Sequence, residues 1–205
     1  SDRVESKIDD SLFMKELNTA LKSLTYKTDG FKPDVNDVEF TYSPIIQSDA
    51  DYDLKLSASS TNKQLKGKGA ILASCGLNYK GYCSNSSRTF LIDPTQEMSD
   101  NYEFLLSLQQ HIIDNLLKIG AYGKDIYEGC IKFIEENGKS ELVPSFTKNC
   151  GSLIGLDFRD SQFILSAKND FRTVQANDVF NISIGFNNLE SKEIKYALQL
   201  SDTVA

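Results

Sequence analysis

The sequence has little of what most metal centres and nucleic-acid-binding surfaces require. Its 205 residues include one histidine, His111, and 22 lysines and arginines against 29 acidic residues, for a formal net charge of −7. A metal site with two or more imidazoles is therefore excluded. Direct nucleic-acid binding is not expected, because phosphate backbones require clustered positive charge. A basic protein is a better electrostatic partner, although this acidic balance also suits any soluble domain.

Cysteines are also few, and they follow no metal-binding or redox pattern. Cys75, Cys83, Cys130 and Cys150 form no C-x-x-C pair, which excludes the spacing of a zinc finger. Three of them lie beside apolar or aromatic residues, as is typical of reduced thiols packed as small hydrophobic side chains. No apolar run reaches the roughly 20 residues of a membrane-spanning helix, so no membrane partner is expected.

Helical and strand-like periodicities are both present, in an order that predicts an α+β domain. Apolar residues at helical spacing predict three helices: one over residues 3–24, a long one that follows Pro94 and ends before Gly120, and one over residues 124–137. Alternating or continuous apolar runs predict strands, over residues 38–42, 71–93, 163–165, 179–184 and 196–200. Helices that cover one face of a curved, mainly antiparallel sheet fit this order. With 40% hydrophobic residues, the chain is expected to form one domain over residues 1–205.

The most informative stretch is Ile71–Asp93, which reads ILASCGLNYKGYCSNSSRTFLID. Two strand-like runs flank a tight turn between Gly76 and Gly81, where Asn78 and the two glycines tolerate the positive φ angles of a hairpin. A polar loop and a third short strand are expected to follow this hairpin.

This hairpin resembles that of the pita-bread metallopeptidases, the superfamily of methionine aminopeptidase, prolidase and creatinase. The shared frame consists of Gly76, Tyr79, Tyr82, Arg88, Thr89 and Phe90. In those enzymes two aspartates on the hairpin bridge a pair of divalent metals. Ser74 and Asn85 stand at these positions here, at the same interval. The resemblance implies a pita-bread fold, with the altered positions lining the pocket.

The resemblance extends to three further segments. Ser152 and Arg159, in GSLIGLDFRD, stand at a metal-binding histidine and at a second, substrate-facing histidine. Ser183, in VFNISIG, and Ser201, in LSDTV, stand at two metal-binding glutamates. All five metal ligands that the family implies are therefore replaced, at Ser74, Asn85, Ser152, Ser183 and Ser201.

Such replacements are incompatible with a two-metal hydrolase. That chemistry needs anionic oxygens and imidazole to offset about four positive charges and to supply hydroxide near neutral pH. Four serines and one asparagine provide neither, and the guanidinium of Arg159 stays protonated and would repel a dication. We therefore expect no catalytic residue, no bound metal and no cofactor.

Two interpretations of the altered pocket remain open. In the first, serine hydroxyls and a bidentate Arg159 hold a peptide without cleaving it. In the second, which we favour, the hydroxyls bond to one another and to water while Arg159 pairs with Asp157 or Asp160. The resemblance also implies that the polar stretch 48–68 passes near the mouth of the pocket and contributes to its rim.

Further segments resemble one branch of the superfamily, the N-terminal domain of the large subunit of the FACT histone chaperones. They are Ile45–Ser48, Tyr52–Lys55, Ser57–Ser60, Tyr82–Pro94, Asn101–Leu106 and Phe180–Phe186. This resemblance implies binding to histones, chiefly H3–H4 and their tails, during nucleosome reorganisation in transcription, replication and repair. It also implies a nuclear, chromatin-bound location and flanking domains that bind the small FACT subunit and the other core-histone dimer, so we expect a piece of a longer protein.

Three functions of different classes follow. The first, which we favour, is a non-catalytic histone-binding module, for which the sequence identifies no histone-contacting residue. The second is an active metallo-aminopeptidase, which needs carboxylates that the five altered positions lack. The third is a peptide-binding or scaffolding pseudo-peptidase without histone preference. Only the segments around Ile45, Asn101 and Asn181 separate the third from the first, and they do so by resemblance.

Overall fold

The computed structural model of the chain describes residues 19, 34–49, 51–55, 57–61 and 67–205. Its strands are β1 (Val38–Phe40), β2 (Ile45–Ser48), β3 (Gly69–Tyr79), β4 (Tyr82–Ile92), β5 (Gly151–Leu153), β6 (Phe180–Ser191) and β7 (Ile194–Val204). They form one antiparallel sheet in the order β1-β3-β4-β7-β6-β5, and β2 also pairs with β3. The helix predicted over residues 3–24 lies outside the described residues, apart from Thr19, which is helical.

Strands β3 and β4 form a long hairpin with a two-residue turn. Lys80 and Gly81 both have positive φ, 50° and 89°, as the favoured hairpin turns require. The side chain of Asn78 supports this turn by accepting a hydrogen bond of 2.8 Å from the Gly81 amide. The turn therefore lies at the C-terminal end of the predicted region, Gly76 to Gly81.

The prediction of a polar loop after this turn was wrong. Strand β4 runs without a break through Ser84, Asn85 and Ser87, and Asn85 and Ser87 are buried. Their polarity comes from a hydrogen-bonded interior surface of the sheet, whereas a polar run in a sequence ordinarily indicates solvent. The prediction of a strand over residues 163–165 was also wrong, because this segment forms only an isolated β-bridge, between Ile164 and Ser152.

Two helices follow the hairpin in the second half of the chain. Helix α1 (Gln96–His111) begins at Thr95, whose Oγ1 accepts a 3.3 Å hydrogen bond from the Met98 amide. A π-helical turn, Ile112–Leu116, extends it. Helix α2 (Gly123–Glu136) agrees with its prediction to within a residue at each end. Ile119 is 73% exposed, so its place on the predicted apolar stripe was wrong, because the chain has already left the helical path.

The core lies between these helices and the second half of the sheet. Helix α1 packs on β6 and β7, and the shared core includes Leu105, Leu108, Ile126, Ile134, Ile184 and Leu198. His111 is half-buried and stacks on Phe133 with ring centroids 4.2 Å apart, which is a packing role. Cys75, Cys83, Cys130 and Cys150 are free thiols, and all but Cys75 are buried. No helix within the described ranges is long and apolar enough to cross a membrane.

The junction between β4 and β7 depends on side chains. A single residue pair, Ser87 and Ser201, is in register there. On one side of it, Thr89 Oγ1 donates to the Gln199 carbonyl over 2.9 Å and accepts from the Gln199 amide over 2.8 Å. On the other side, Thr203 Oγ1 accepts from the Asn85 amide over 2.9 Å. Threonine hydroxyls thus replace backbone hydrogen bonds where the two halves of the sheet meet.

Candidate functional site

Four serines form one row across four neighbouring strands. Ser74 on β3 is opposite Ser87 on β4, Ser87 is opposite Ser201 on β7, and Ser201 is opposite Ser183 on β6. Residues that face each other in an antiparallel pair project from the same face of a sheet, so the four side chains share one surface. Three of them are predicted site positions, which the fold brings together from distant parts of the sequence.

Two further predicted positions, Asn85 and Ser152, lie close to this serine row. Asn85 precedes Ser87 by two residues, so the period of a strand places it on the same face. Asn181 has the same relation to Ser183, and Ser152 on β5 lies opposite Asn181. Sequence reasoning missed Ser87 and Asn181. The signal that could have found them is that period of two, counted from Asn85 and from Ser183.

Hydrogen bonds join these side chains into a polar chain that runs from Tyr42 to Asn181. The Tyr42 hydroxyl donates to Asn85 Oδ1 over 2.5 Å. Asn85 Nδ2 donates to Ser201 Oγ over 3.2 Å, and Ser201 Oγ donates to Asn181 Oδ1 over 2.6 Å. Each donor is matched to an acceptor, and Ser201 takes part in two bonds while fully buried. In the second interpretation of the pocket the serine hydroxyls bond to one another and to water, whereas the partners of the Ser201 hydroxyl here are two amide groups.

A separate hydroxyl pair completes the row. Ser87 Oγ donates to Ser74 Oγ over 2.8 Å, and Ser87 is 2% exposed. On the opposite face of β4, Arg88 donates to the Ser201 carbonyl over 2.8 Å and pairs with Asp202 over 2.6 Å. The arginine of the hairpin frame therefore ties β4 to β7 from behind the row.

Burial keeps the titratable groups beside the polar chain protonated. It is the main cause that raises the pKa of Tyr42 above its usual range, with a smaller contribution from the nearby Cys75 thiol. Burial also raises the pKa of Cys75 itself. Tyr42 is therefore a neutral donor at physiological pH, and the polar chain carries no charge.

An aromatic pair covers one end of the polar chain. The rings of Tyr42 and Phe158 meet edge to face, with centroids 5.4 Å apart. They lie against Gly76, which faces Asn85 across the hairpin, and a Cβ atom at Gly76 would approach Tyr42 Cε1 to 2.5 Å. Glycine in the hairpin frame is thus required by this close contact with the rings, since its φ is not positive.

A cavity of about 790 Å³ opens beside the polar chain, and both ends of the chain, Tyr42 and Asn181, lie in its wall. Ser152, Ser183 and Arg159 line it, whereas Ser74, Asn85 and Ser201 do not. The predicted site is therefore divided into a cavity-lining part and a part away from the cavity, in which Asn85 and Ser201 are buried and Ser74 is half-buried. Members of the polar stretch 48–68 also line the cavity, as the family resemblance predicted; they are Asp53, Leu54, Lys55 and Ser57.

The prediction that Arg159 pairs with Asp157 or Asp160 was wrong. Asp160 instead pairs with Arg172 Nη1 over 3.2 Å, and the Arg172 guanidinium lies 5.0 Å from the centre of the Phe163 ring. The Phe163 ring holds Arg172 beside Asp160. Arg172 therefore occupies the position that Arg159 was expected to take. No carboxylate in the described part of the chain pairs with Arg159, which is exposed at the cavity. In the same part of the chain no three His, Cys, Asp or Glu side chains converge.

Comparisons with known proteins agree with this architecture. The sequence pattern of metallopeptidase family M24 matches residues 2–205. The FACT complex subunit SPT16 of Eremothecium gossypii is 58% identical over 206 residues, which include all of this chain and 20% of that protein. The chain thus spans about one fifth of the length of the curated relatives it matches.

Solved structures show the same similarity. The N-terminal domain of SPT16 from Eremothecium gossypii has a TM-score of 0.87 at 57% identity, over 96% of this chain and 44% of that one. The X-Pro aminopeptidase from Thermotoga maritima has a TM-score of 0.67 at 23% identity, over 93% of this chain and 49% of that one, and this likeness concerns the fold alone. Together these matches confirm the predicted pita-bread fold.

Proposed function

The chain belongs to metallopeptidase family M24, and we propose that its function is that of a non-catalytic, histone-binding module of a FACT chromatin chaperone. Its similarity to FACT complex subunits extends over the whole chain at 58% and 57% identity to the SPT16 proteins of Eremothecium gossypii and Saccharomyces cerevisiae. We regard residues 1–205 as one domain of such a subunit, whose other domains bind the small subunit.

The neutral polar chain carries the proposal that the module is non-catalytic. Asn85 and Ser201 stand where the resembled enzymes have an aspartate and a glutamate, and they are bonded to each other and to Tyr42 and Asn181. A two-metal centre needs several anionic oxygens to offset its charge. Neutral donors that are already paired do not fit such a centre, so no hydrolytic step is assigned to this chain.

The charge of the chain supports a basic partner. A net charge of −7 favours association with the positively charged H3–H4 pair and its tails. We place this module in the nucleus, at chromatin, where it contributes to nucleosome reorganisation during transcription, replication and repair. A scaffolding pseudo-peptidase without histone preference is the second candidate, and the same fold suits it equally.

Calorimetric titration of the chain with H3–H4 and with their tail peptides tests this proposal. We expect saturable binding that weakens between about 0.1 and 0.3 M salt, because screening shortens the range of the acidic field. Parallel titrations with Mn²⁺ and Zn²⁺, and an assay with the dipeptide Gly-Pro, should give neither metal uptake nor hydrolysis. Metal-dependent turnover would contradict the non-catalytic assignment.

A scrambled peptide with the composition and charge of the H3 tail is the matched control. Clearly tighter binding of the native tail supports a histone-specific module. Equal binding of the native and scrambled tails, together with equal binding of H3–H4 and another basic protein such as cytochrome c, would favour the scaffolding alternative instead.

A further inference from the structure

The C-terminal end of α2 carries the pair Asn137 and Gly138, the single Asn-Gly sequence in the chain. Asn137 caps the helix, and Gly138 follows it with a φ of 70°, the left-handed conformation in which helices commonly end on glycine. Both residues are exposed. A Cβ atom built at Gly138 would meet nothing within 4 Å, so water reaches this peptide bond freely.

This pair can undergo ring closure within the chain. The backbone nitrogen of Gly138 loses its proton and attacks Cγ of Asn137, a new N–Cγ bond forms, and the side-chain amide group leaves as ammonia. Water then adds to either carbonyl of the resulting cyclic imide, and the ring opens to aspartate or to isoaspartate. Glycine favours the attack because it has no Cβ to crowd the nitrogen and because its backbone is the most flexible.

Hydrogen bonds of the last helical turn hold the two reacting groups apart. Nδ2 of Asn137 donates to the Phe133 carbonyl over 2.8 Å, and the amide of Gly138 donates to the Glu135 carbonyl over 3.0 Å. Both bonds are lost when the Gly138 nitrogen bonds to Cγ of Asn137. They belong to an exposed helix end, and such ends open locally at a far smaller free energy than the core.

The other asparagines do not combine these properties, since each is followed by a residue with a side chain. Asn85, Asn101 and Asn181 are in addition buried. Asn177 resembles Asn137 most, because it is exposed and has a φ of 70°. The residue after it is Asp178, whose Cβ crowds the attacking nitrogen. Asn177 is therefore a matched reference within the same chain.

We propose that Asn137 is a deamidation site, at which water converts the side-chain amide to aspartate and isoaspartate with release of ammonia. This modification adds a negative charge at the end of α2, where the carbonyl end of the helix dipole is already negative. The site is independent of the histone-binding function proposed above.

The conversion should weaken the end of α2. A carboxylate at position 137 cannot donate to the Phe133 carbonyl as Nδ2 of Asn137 does, and the exposed Glu135 adds repulsion. Isoaspartate also inserts a methylene group into the backbone shortly before Lys139. The Nζ atom of Lys139 donates to the buried Asn101 Oδ1 over 3.2 Å, so the modification loosens the contact between the end of α2 and α1.

Incubation of the folded chain in mildly alkaline buffer, followed by proteolytic digestion and mass spectrometry, tests the proposal. We expect conversion at Asn137 about tenfold or more faster than at Asn177, with part of the product methylated by an enzyme specific for isoaspartate. Equal rates at the two asparagines would overturn the proposal, as would conversion of Asn137 in the urea-unfolded chain alone. Formation of aspartate without isoaspartate would show direct hydrolysis and refute the ring closure.

A glycine variant separates the chemistry from fraying of the helix end. Gly138→Ala strains a residue with positive φ and loosens the last turn, yet it should slow the conversion of Asn137 about tenfold or more, because the new Cβ crowds the nitrogen. Gly155→Ala, also in open space, should leave the rate within about twofold. A rate in Gly138→Ala equal to or above that of the unaltered chain would contradict the role of glycine.

Hydrogen exchange measures the consequence of the modification. Asn137→Asp imitates one product and should lower the protection of the Lys139 amide, which donates to the Ile134 carbonyl over 3.1 Å, about threefold or more. Asn177→Asp is the matched control and should leave that amide unchanged. Equal protection of the Lys139 amide in both variants would contradict the predicted weakening of α2.

Discussion

Asn85 Nδ2 donates a hydrogen bond of 3.2 Å to Ser201 Oγ, which is 116 residues further along the chain. The bond spans the junction at which β4 meets β7 through a single residue pair in register. Ser201 passes the connection on to Asn181 of β6. Asn85 and Ser201 thus help to hold the two halves of this sheet together, and the loss of either side chain should lower the stability of the fold.

Replacing Ser201 by alanine should lower the free energy of unfolding by about 1–3 kcal/mol. The change removes the acceptor of Asn85 and the donor to Asn181, and it leaves both amides buried with one partner fewer. Ser183→Ala, directly opposite in the sheet, is the matched control and should cost less than about 0.5 kcal/mol, because no bond is lost. Urea denaturation measures both, and equal costs would contradict a structural role for the polar chain.

Asn85→Asp should destabilise the fold at pH 7 by about 1–3 kcal/mol and less at pH 4.5. At 3% exposure the new carboxylate is desolvated, which raises its folded-state pKa above that of the unfolded chain. The folded state then holds the proton more tightly, so its relative stability is greatest at low pH and is lost as the pH rises through the folded-state pKa.

Denaturation of this variant at both pH values should be compared with that of Ser86→Asp. Ser86 is exposed on the opposite face of the same strand, where a carboxylate remains solvated, so little pH-dependent change is expected there. A pH-independent cost for Asn85→Asp would show that shape, and not charge burial, is responsible.

Tyr42→Phe should cost about 1 kcal/mol at pH 7 and progressively less above pH 10. The pKa of Tyr42 is raised in the folded state, so its phenol ionises first in the unfolded chain. The stability that the Tyr42 hydroxyl contributes is therefore present at pH values below the pKa of the unfolded chain, and it is lost as the pH rises beyond that pKa. Phenylalanine has no such loss. Urea midpoints at pH 7 and pH 11 test this, with Tyr82→Phe, which is 64% exposed, as the control.

Gly151→Ala should destabilise the chain by at least about 2 kcal/mol. Gly151 has φ of +137°, and a Cβ atom there would lie 2.1 Å from the Asn181 carbonyl oxygen, which belongs to the neighbouring strand and cannot move away alone. Gly155→Ala, where nothing lies within 4 Å, should have an effect within about 0.5 kcal/mol. Thermal denaturation of the two variants gives the comparison, and similar melting temperatures would refute the predicted backbone clash.

Much of the fold is readable from local patterns. Helices α1 and α2 were predicted because their apolar residues repeat at helical spacing. The hairpin turn was predicted between Gly76 and Gly81, and of the three residues expected to have positive φ only Gly81 does, together with Lys80. The main error concerned the run from Ser84 to Ser87, whose polarity indicated a loop. A strand whose polar side chains are satisfied inside the protein cannot be distinguished from a loop by composition alone.

Residue types alone determined the chemistry available to this protein. The single histidine, the neutral side chains of Ser74, Asn85, Ser152, Ser183 and Ser201, and the cation Arg159 follow directly from the sequence, and on their chemistry the sequence predicts no two-metal hydrolase. Tertiary structure alone decided that Ser201 and Asn85 are buried within the sheet and that Ser152 and Ser183 face a cavity. It also decided that Asp160 pairs with Arg172 and not with Arg159. The reason is physical: strand register and side-chain hydrogen bonds join residues more than a hundred positions apart, and local periodicity carries no information about such pairs.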